Sequence, residues 1–571
     1  METLRDATFG QACRLFSRWS LFQYPEERDV DYVRGCTRNL KEAEKRERVA
    51  READPAIGSG EHYTNYTLTA QVSRARSPHW GSSIDGTRMA ADLEGGGQTQ
   101  IVGWAGPNDP QNPQNWSFTK KSVVSAQICL LTFAVYIGSA IYSPAIPSAA
   151  QHFNISRVTA TLGLSLFVAG YGLGPMIWAP LSEVPPVGRN PIYILTLLVF
   201  VCFQLAVIYA KNLGMFLAFR FLTGFIGSPA LGTGGASLSD MWDQKSRAYA
   251  IGLWGAAAVC APTLGPLVGG FAVQAKDWTW SIWLIMWISG FTLVLCFFWL
   301  PETSGANILY RRAARMRRIT GNPSLKSASE VEAEKASKKD LLVESFIRPF
   351  QLCFSEPIVF VLNLYVSLIY GILYIWFEAF PIVFIEMHGF NLGQNGLAFL
   401  GVFVGSLLGT ASYFWWVAKV RNSQFNEHGQ LAPEQQLPPS MVGAFFIPIS
   451  LFWFGWTSYP SVHWISPIIA GAFFSVGACL VVNCVFNYLA DAYPQHAASA
   501  LGSNDFMRSM FAAGFPLFAT AMFHNLHVWW ACTLLGCLTN GLDMTYEVLN
   551  QRSNLINSSS TTEPIMTSPL I

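Results

Sequence analysis

The chain has 571 residues, 51% of them hydrophobic, 14% aromatic and only 13% charged, with a mean hydropathy of +0.30. A soluble globular protein carries about 25% charged residues, and here the charges are also unevenly spread: residues 122–300 hold eleven and residues 357–541 hold nine. That excludes a soluble enzyme, a nucleic-acid binder and a disordered chain, whatever the net charge of +1 suggests, and leaves a polytopic membrane protein.

Residues 1–115 read as a polar cytosolic tail. It opens on no short apolar segment with a cleavage site, so the first apolar span serves as its own targeting signal. A charge run at 42–54 reads as a solvated helix. The segment 9–21, with Phe9, Arg14, Leu15, Phe16, Arg18, Trp19 and Leu21, alternates basic and bulky apolar residues. It reads either as a helix in the headgroup plane of the inner leaflet or as part of a partly disordered tail.

A bilayer-crossing helix needs about 20 apolar residues, and the hydrocarbon core admits only backbone that satisfies itself. Six runs of that kind stand near 122–146, 159–179, 192–209, 215–238, 249–271 and 282–300. A charged stretch, 301–350, interrupts them. Runs near 358–385, 397–417, 441–457, 465–489 and 499–523 follow, then a weaker one at 528–539. The predicted fold class is an all-α polytopic membrane protein. Its parts are a tail (1–115), a six-helix bundle (116–300), a central loop (301–350), a second bundle (351–541) and a polar tail (542–571).

Basic residues in short loops set orientation. With the N-terminus in the cytosol, the inside loops carry Lys120, Lys121, Arg189, Lys245, Arg247, Lys419 and Arg421 besides the basic central loop. The outside loops carry only Arg157, Lys211 and Lys276. The arginines at 311–318 read as a retention charge facing anionic lipid. The sequon Asn154-Ile155-Ser156 falls outside, although Asn65-Tyr66-Thr67 matches equally well on the cytosolic side. The eleven cysteines form no CxxC pair and lie mostly in apolar runs. They read as packing residues, with no disulfide framework, metal site or cofactor expected.

Several residues carry mechanism. Tyr142-Ser-Pro144-Ala-Ile-Pro147 closes the first run. The loop after the second contains Glu183, Pro185, Pro186, Gly188 and Arg189; a carboxylate and a guanidinium there can pair across a bundle interface in one state and separate in another. The bland reading of Arg189 is a topology charge. Arg220 sits inside the fourth run, where a permanent cation must face the bundle interior and find acceptors, or else snorkel to the outer headgroups. In the fifth run, Gly252, Pro262, Gly265, Pro266, Gly269 and Gly270 let helices touch closely and bend.

In the seventh run Tyr370, Tyr374 and Glu378 recur at i, i+4 and i+8, which puts two phenols and a carboxylate on one face, flanked by Trp376, Phe377 and Phe380. A desolvated carboxylate beside aromatic faces suits exchange of a proton for a lipophilic, often cationic, ligand; the alternative is a wetted group at the outer end. Asn483 and Asn487 form a second inward-facing polar pair. Asp505 and Arg508, at i and i+3, read more readily as a local ion pair than as a second coupling site.

Two six-helix bundles joined by a cytosolic loop resemble the major facilitator superfamily. The likeness narrows at Asn108-Asp-Pro-Gln-Asn112-Pro-Gln-Asn115-Trp116-Ser, at the Pro-Leu-Ser-Glu…Gly-Arg-Asn-Pro loop, at Phe377-Glu378-Ala-Phe-Pro381 and at Gly502-Ser-Asn504-Asp505-Phe-Met-Arg508-Ser. These are similar to the fungal twelve-spanner multidrug:proton antiporters, in the cycloheximide, caffeine, benomyl and azole resistance branch. The resemblance implies proton-coupled efflux of lipophilic drugs or toxins across the plasma membrane by a monomer. It implies a proton-coupling role for Arg220 and an antiporter signature in the fifth helix; Glu378 and Asp505 are the further coupling candidates that the residues themselves suggest. Some relatives export a self-made secondary metabolite, and an importer of the same superfamily is a further alternative.

Departures are clear. Two extra residues separate Glu183 from Gly188-Arg189, Asn190 replaces the second basic residue, and Ala261 replaces a signature glycine. The last apolar run stops at Thr539, where the resemblance implies a full span and a basic end. A truncated final helix is expected, of the kind a displaced splice junction leaves. No GxxxxGK[ST] loop is present, so direct ATP hydrolysis is disfavoured.

Overall fold

The structure, a computed structural model, describes residues 2–28 except 18 and 20, 37–39, 99–335, 350–425 except 352, 431–492 except 432, and 497–559. The charge run at 42–54, the sequon at Asn65, the remainder of the central loop and the tail beyond 559 lie outside the described residues.

Eleven helices among the described residues are long and apolar enough to cross a bilayer. The first set comprises span 1 (Phe118–Phe153), span 2 (Arg157–Glu183), span 3 (Asn190–Ile208), span 4 (Leu213–Met241), span 5 (Gln244–Ala275) and span 6 (Thr279–Trp299). The second comprises span 7 (Pro357–Met387), span 8 (Leu392–Ser423), span 9 (Pro438–Thr457), span 10 (Ile465–Ala492) and a long stretch, Ala500–Asn540. That stretch breaks at His527, where φ is 59° and ψ is 160°, so it comprises span 11, ending at Leu526, and span 12, starting at Val528.

The apolar part of span 12 is short, and helical backbone runs on to Ser559. Packing against span 9 holds that part. Trp529 stacks on Tyr459 with centroids 5.1 Å apart, and a Cβ built at Gly455 would stand 2.7 Å from the Cys532 Cβ.

Prolines explain why several spans are not straight, because each removes a backbone donor. Span 1 turns at Ser143–Ala145 around Pro144, span 2 breaks at Gly174-Pro175, span 4 at Ser228-Pro229, and span 7 passes into π-helix at Pro381–Met387. Spans 2 and 4 meet backbone to backbone. A Cβ at Gly170 would fall on the Phe221 carbonyl, one at Gly224 on the Phe167 carbonyl, and one at Gly174 on the Ser228 hydroxyl. In hydrocarbon, where apolar burial discriminates little, such close approach is what holds helices together.

One face of the bundle carries a small folded layer; we call it the linker face and the other the distal face. Strands β1 (Thr37–Asn39) and β2 (Gln100–Val102) are antiparallel, and β2 runs parallel to β3 (Leu325–Ser327). Helix α1 (Thr8–Phe16) sets Phe9 against Phe298 of span 6, centroids 4.9 Å apart, and the Thr8 hydroxyl donates to Asn190 Oδ1 at 2.9 Å. Helix α2 (Gly305–Thr320) supplies the arginines.

The expectation that 311–318 faces anionic lipid is corrected here for Arg312, Arg315 and Arg317. Arg312 pairs with Asp109 at 2.8 Å, Arg315 with Glu26 at 2.6 Å and Arg317 with Glu330 at 2.9 Å, while Arg318 lies 4.0 Å from the Trp19 ring centroid. Carboxylates meet the first three of these cations before lipid can, while Arg318 remains exposed. Burial pushes the Glu26 carboxyl up, but Arg315, Arg312 and its hydrogen bonds together hold it below its ordinary value. Asp109 is likewise held low by Arg312 and two backbone N–H groups against the opposing effect of burial.

Candidate functional site between the helix bundles

The face of span 7 bearing Tyr370, Tyr374 and Glu378 meets spans of the other set. The Tyr374 hydroxyl lies 2.7 Å from Ser139 Oγ of span 1 and 2.8 Å from the Tyr171 hydroxyl of span 2; Tyr370 reaches the same Tyr171 hydroxyl at 3.2 Å. Tyr171 packs edge-on to Tyr136, 5.5 Å between centroids. The Tyr136 hydroxyl donates to Asp505 at 3.2 Å and accepts from Arg508, which also pairs with Asp505. The Arg508 guanidinium stands 4.9 Å from the Tyr370 ring centroid.

All these side chains are buried. Hydroxyls can donate and accept at once, so they form a polar seam across the interface in an otherwise apolar interior, where unsatisfied groups are costly. Asp505 and Arg508 are the local ion pair that their spacing suggests.

Glu378 is 1% exposed. It accepts from Arg157 Nη2 at 3.1 Å and from the Thr520 hydroxyl at 2.9 Å. Arg157 opens span 2, so this ion pair joins the two sets near the distal face, and its Nη1 lies 3.8 Å from Glu386. Burial rules out the wetted alternative for Glu378. Sequence reading counted Arg157 only as a loop charge; its partner lies 221 residues away, and no local pattern links them.

Phe377 lies edge-on to Tyr374 at 5.1 Å. Trp376 and Phe380 instead turn into the second set, where Trp376 packs on Phe474 at 4.8 Å and Phe380 on Phe399 at 4.3 Å. Asn483 and Asn487 donate back to their own helix, to the carbonyls of Cys479 and Asn483, both at 2.9 Å. Asn483 Oδ1 has no hydrogen-bond partner among the described residues and faces Gly255, where an added Cβ would stand 2.6 Å away. Asn483 therefore meets span 5 rather than the tyrosine seam.

Arg220 does not snorkel. It is fully buried, its Nε donates to the Gly163 carbonyl at 2.8 Å and its Nη2 to the Gly138 carbonyl at 3.2 Å. Phe167 and Tyr142 present ring faces, with centroids 4.5 and 5.0 Å from the guanidinium carbon.

In the loop before span 3, Gly188 adopts φ 75°, a conformation that favours glycine. Arg189 pairs with Asp240 of span 4 at 3.2 Å and donates to Ser237 Oγ at 3.3 Å. Glu183 is exposed. The pairing across the interface suggested for this loop is thus corrected for this conformation: Arg189 finds its carboxylate within its own set. Asp240 went unremarked in the sequence, its only signal being an acidic residue at the linker-face end of a span. Glu302 accepts from the backbone N–H of Arg189 and Asn190, at 3.1 and 3.2 Å.

The small residues of span 5 touch both sets. An added Cβ at Gly265 would stand 2.6 Å from the Ile141 nitrogen of span 1, and one at Gly269 would fall on the Ile141 carbonyl. One at Gly270 would stand 2.6 Å from the Leu392 carbonyl oxygen of span 8, and one at Gly252 would stand 2.7 Å from the Phe414 ring. Pro262 and Pro266 lie inside the helix. Gln274 accepts from the Gly393 N–H at 2.9 Å on the distal side. On the linker side Arg247 lies 3.9 Å from Asp491, and Asn422 donates to the Tyr249 hydroxyl at 3.2 Å. The seam is enclosed between these two sets of contacts.

A family model described as Major Facilitator Superfamily matches residues 128–516. Transporter mfs1 of Schizosaccharomyces pombe is 47% identical over 445 residues, 77% of this chain and 84% of the relative. Multidrug transporter FLR1 of Candida glabrata is 42% identical over 447 residues, 77% of this chain and 80% of the relative. Among solved structures, the xylose transporter XylE from E. coli in a partially occluded inward-open conformation superimposes with a TM-score of 0.51 at 15% identity, covering 74% of this chain and 98% of that one.

Proposed function

We propose that this chain, which belongs to the Major Facilitator Superfamily, exports lipophilic drugs or toxins by exchanging them for protons. The relative named a multidrug transporter supports that substrate class. The observation that carries the coupling is the buried Glu378–Arg157 pair between the two helix sets.

Protonation of Glu378 removes one of the two charges, and with it the main attraction across the distal side. The distal face then opens, ligand leaves, and the proton is delivered when the linker face opens. The tyrosine seam and Arg508 re-form their bonds at each closure. Arg220, held by carbonyls, and the Asp505–Arg508 pair keep the first set and span 11 in register during the swing. Tyr370, Tyr374 and Phe377 are the proposed ligand contacts; Asn483 and Asn487, bonded back to their own helix, are not. Phe377 brings a ring face for dispersion and cation–π attraction. Glu183, Gly188 and Arg189 are the proposed gating loop. The protein works as a monomer at the plasma membrane, with the N-terminus and the linker face in the cytosol, a side supported by the excess of basic residues in the loops there.

The test is purified protein in vesicles loaded with a labelled azole, under an imposed proton gradient. Uphill movement that a protonophore collapses supports the reading. Movement that only dissipates the ligand gradient makes the protein a facilitator and overturns it.

A further inference from the structure

Helix α1 has two faces with different fates. Gly10 and Arg14 are buried inside the linker-face layer, where Arg14 pairs with Glu27 at 2.6 Å. Phe9, by contrast, packs on Phe297 and Phe298 at the last turn of span 6, with centroids 6.2 and 4.9 Å away. Phe16 lies two turns further along the same stripe, since seven residues nearly complete two helical turns, and it is 88% exposed. Leu15 and Leu21 beside it are exposed as well, and so is Ile319 at the end of α2.

The stripe therefore starts on aromatic rings of a bilayer-crossing helix and continues beyond the edge of the bundle. Span 6 is long and apolar enough to cross a bilayer, so lipid is the expected surrounding of that edge at the depth of Phe297. Trp19 with Arg318 above its ring has the amphipathic chemistry of the headgroup zone, and Arg318 is exposed to meet anionic headgroups.

We propose that α1 is an in-plane lipid anchor: its Phe16 and Leu15 enter the acyl region of the leaflet at the linker face, and Arg318 takes a phospholipid phosphate. Because the Thr8 hydroxyl also bonds Asn190, the anchor holds the start of span 3 to the bilayer surface. This inference does not depend on the transport reading and stands or falls separately from it.

Photocrosslinking of the full chain in nanodiscs of mixed phosphatidylserine and phosphatidylcholine tests it. Phe16→benzoylphenylalanine is the probe and Phe291→benzoylphenylalanine, on the exposed side of span 6, is the lipid-facing control. Such helices sink about 5–10 Å, so lipid adducts at 16 are expected within about threefold of the control yield. An Arg318→Gln variant is expected to lose the phosphatidylserine preference among those adducts while keeping the adducts themselves. Crosslinks from 16 to another segment of this chain, to a second copy, or no adduct where the control gives one, would each overturn the proposal.

Discussion

Two carboxylates a few turns apart in space, Glu378 and Asp505, differ in what their cations do when abandoned. Arg157 is 35% exposed in its side chain, whereas Arg508 is 4% exposed. Removing the charge of Glu378 leaves a guanidinium that water and Glu386 still solvate. Removing that of Asp505 strands a cation in the interior, a change that costs about 3–5 kcal/mol. Glu378→Gln, which cannot take up or release a proton, is therefore expected to fold and bind ligand but to lose acid-driven uphill transport. Asp505→Asn is expected to fail first in stability, seen as early unfolding in detergent on heating. Normal proton-driven flux in the Gln variant would move the coupling role away from Glu378. The seam explains why Tyr370 and Tyr374 were legible as a pair: both lie on one helix, and a period of four residues exposes a shared face. Their partners Ser139 and Tyr171 lie more than half a bundle away in the chain, in runs where nothing distinguishes an interface hydroxyl from a packed one.

At the level of helices, the small residues of span 5 are not equivalent spacers. Gly269 sits where a methyl would strike backbone, the Ile141 carbonyl, and backbone in a packed helix cannot step aside. Gly290 of span 6 has nothing within 4 Å of the same added atom. Gly269→Ala is expected to lower stability by about 1–3 kcal/mol, the usual range for overpacking, and to cut transport with it; Gly290→Ala is expected to leave both unchanged. Thermal unfolding of the two variants in detergent, side by side, checks this. Equal midpoints would mean that spans 1 and 5 have room to part. The apolar runs themselves were read to within a few residues, because hydrocarbon thickness leaves composition little freedom. The breaks at Gly174-Pro175 and Ser228-Pro229 could be marked as punctuation. That they fall at one level, face to face, needs the packing of two helices and is invisible in either alone.

For the molecule as a whole, the linker-face layer is the part that composition hid. Its apolar stretches are too short to announce elements, and its strength lies in ion pairs such as Glu26–Arg315, 289 residues apart. Glu26 and Asp109 titrate below their ordinary values of 4.5 and 3.8. A carboxyl lowered by folding adds stability above its unfolded value and loses it as pH falls through the folded one. The layer is thus at full strength at neutral pH and is expected to loosen below about pH 4. Hydrogen exchange at residues 100–116 and 305–320, compared at pH 7 and in acid after correction for intrinsic rates, reads that loss. Glu26→Gln and Asp109→Asn are expected to start from weaker protection and to change less on acidification. Protection that holds unchanged in acid would mean that the sheet and apolar contacts carry the layer without its charges.

The facing breaks of spans 2 and 4 have a mechanical meaning. Below them, the half-helices Pro175–Glu183 and Pro229–Met241 share a pivot at Gly174 and Ser228, and the lower one carries Asp240 clasped to Arg189. Above them, Arg220 is pinned by two carbonyls. The Arg189–Asp240 pair thus ties the loop before span 3 to the half-helix beyond Ser228, so that loop and half-helix form one linked unit next to a mounting fixed at Arg220.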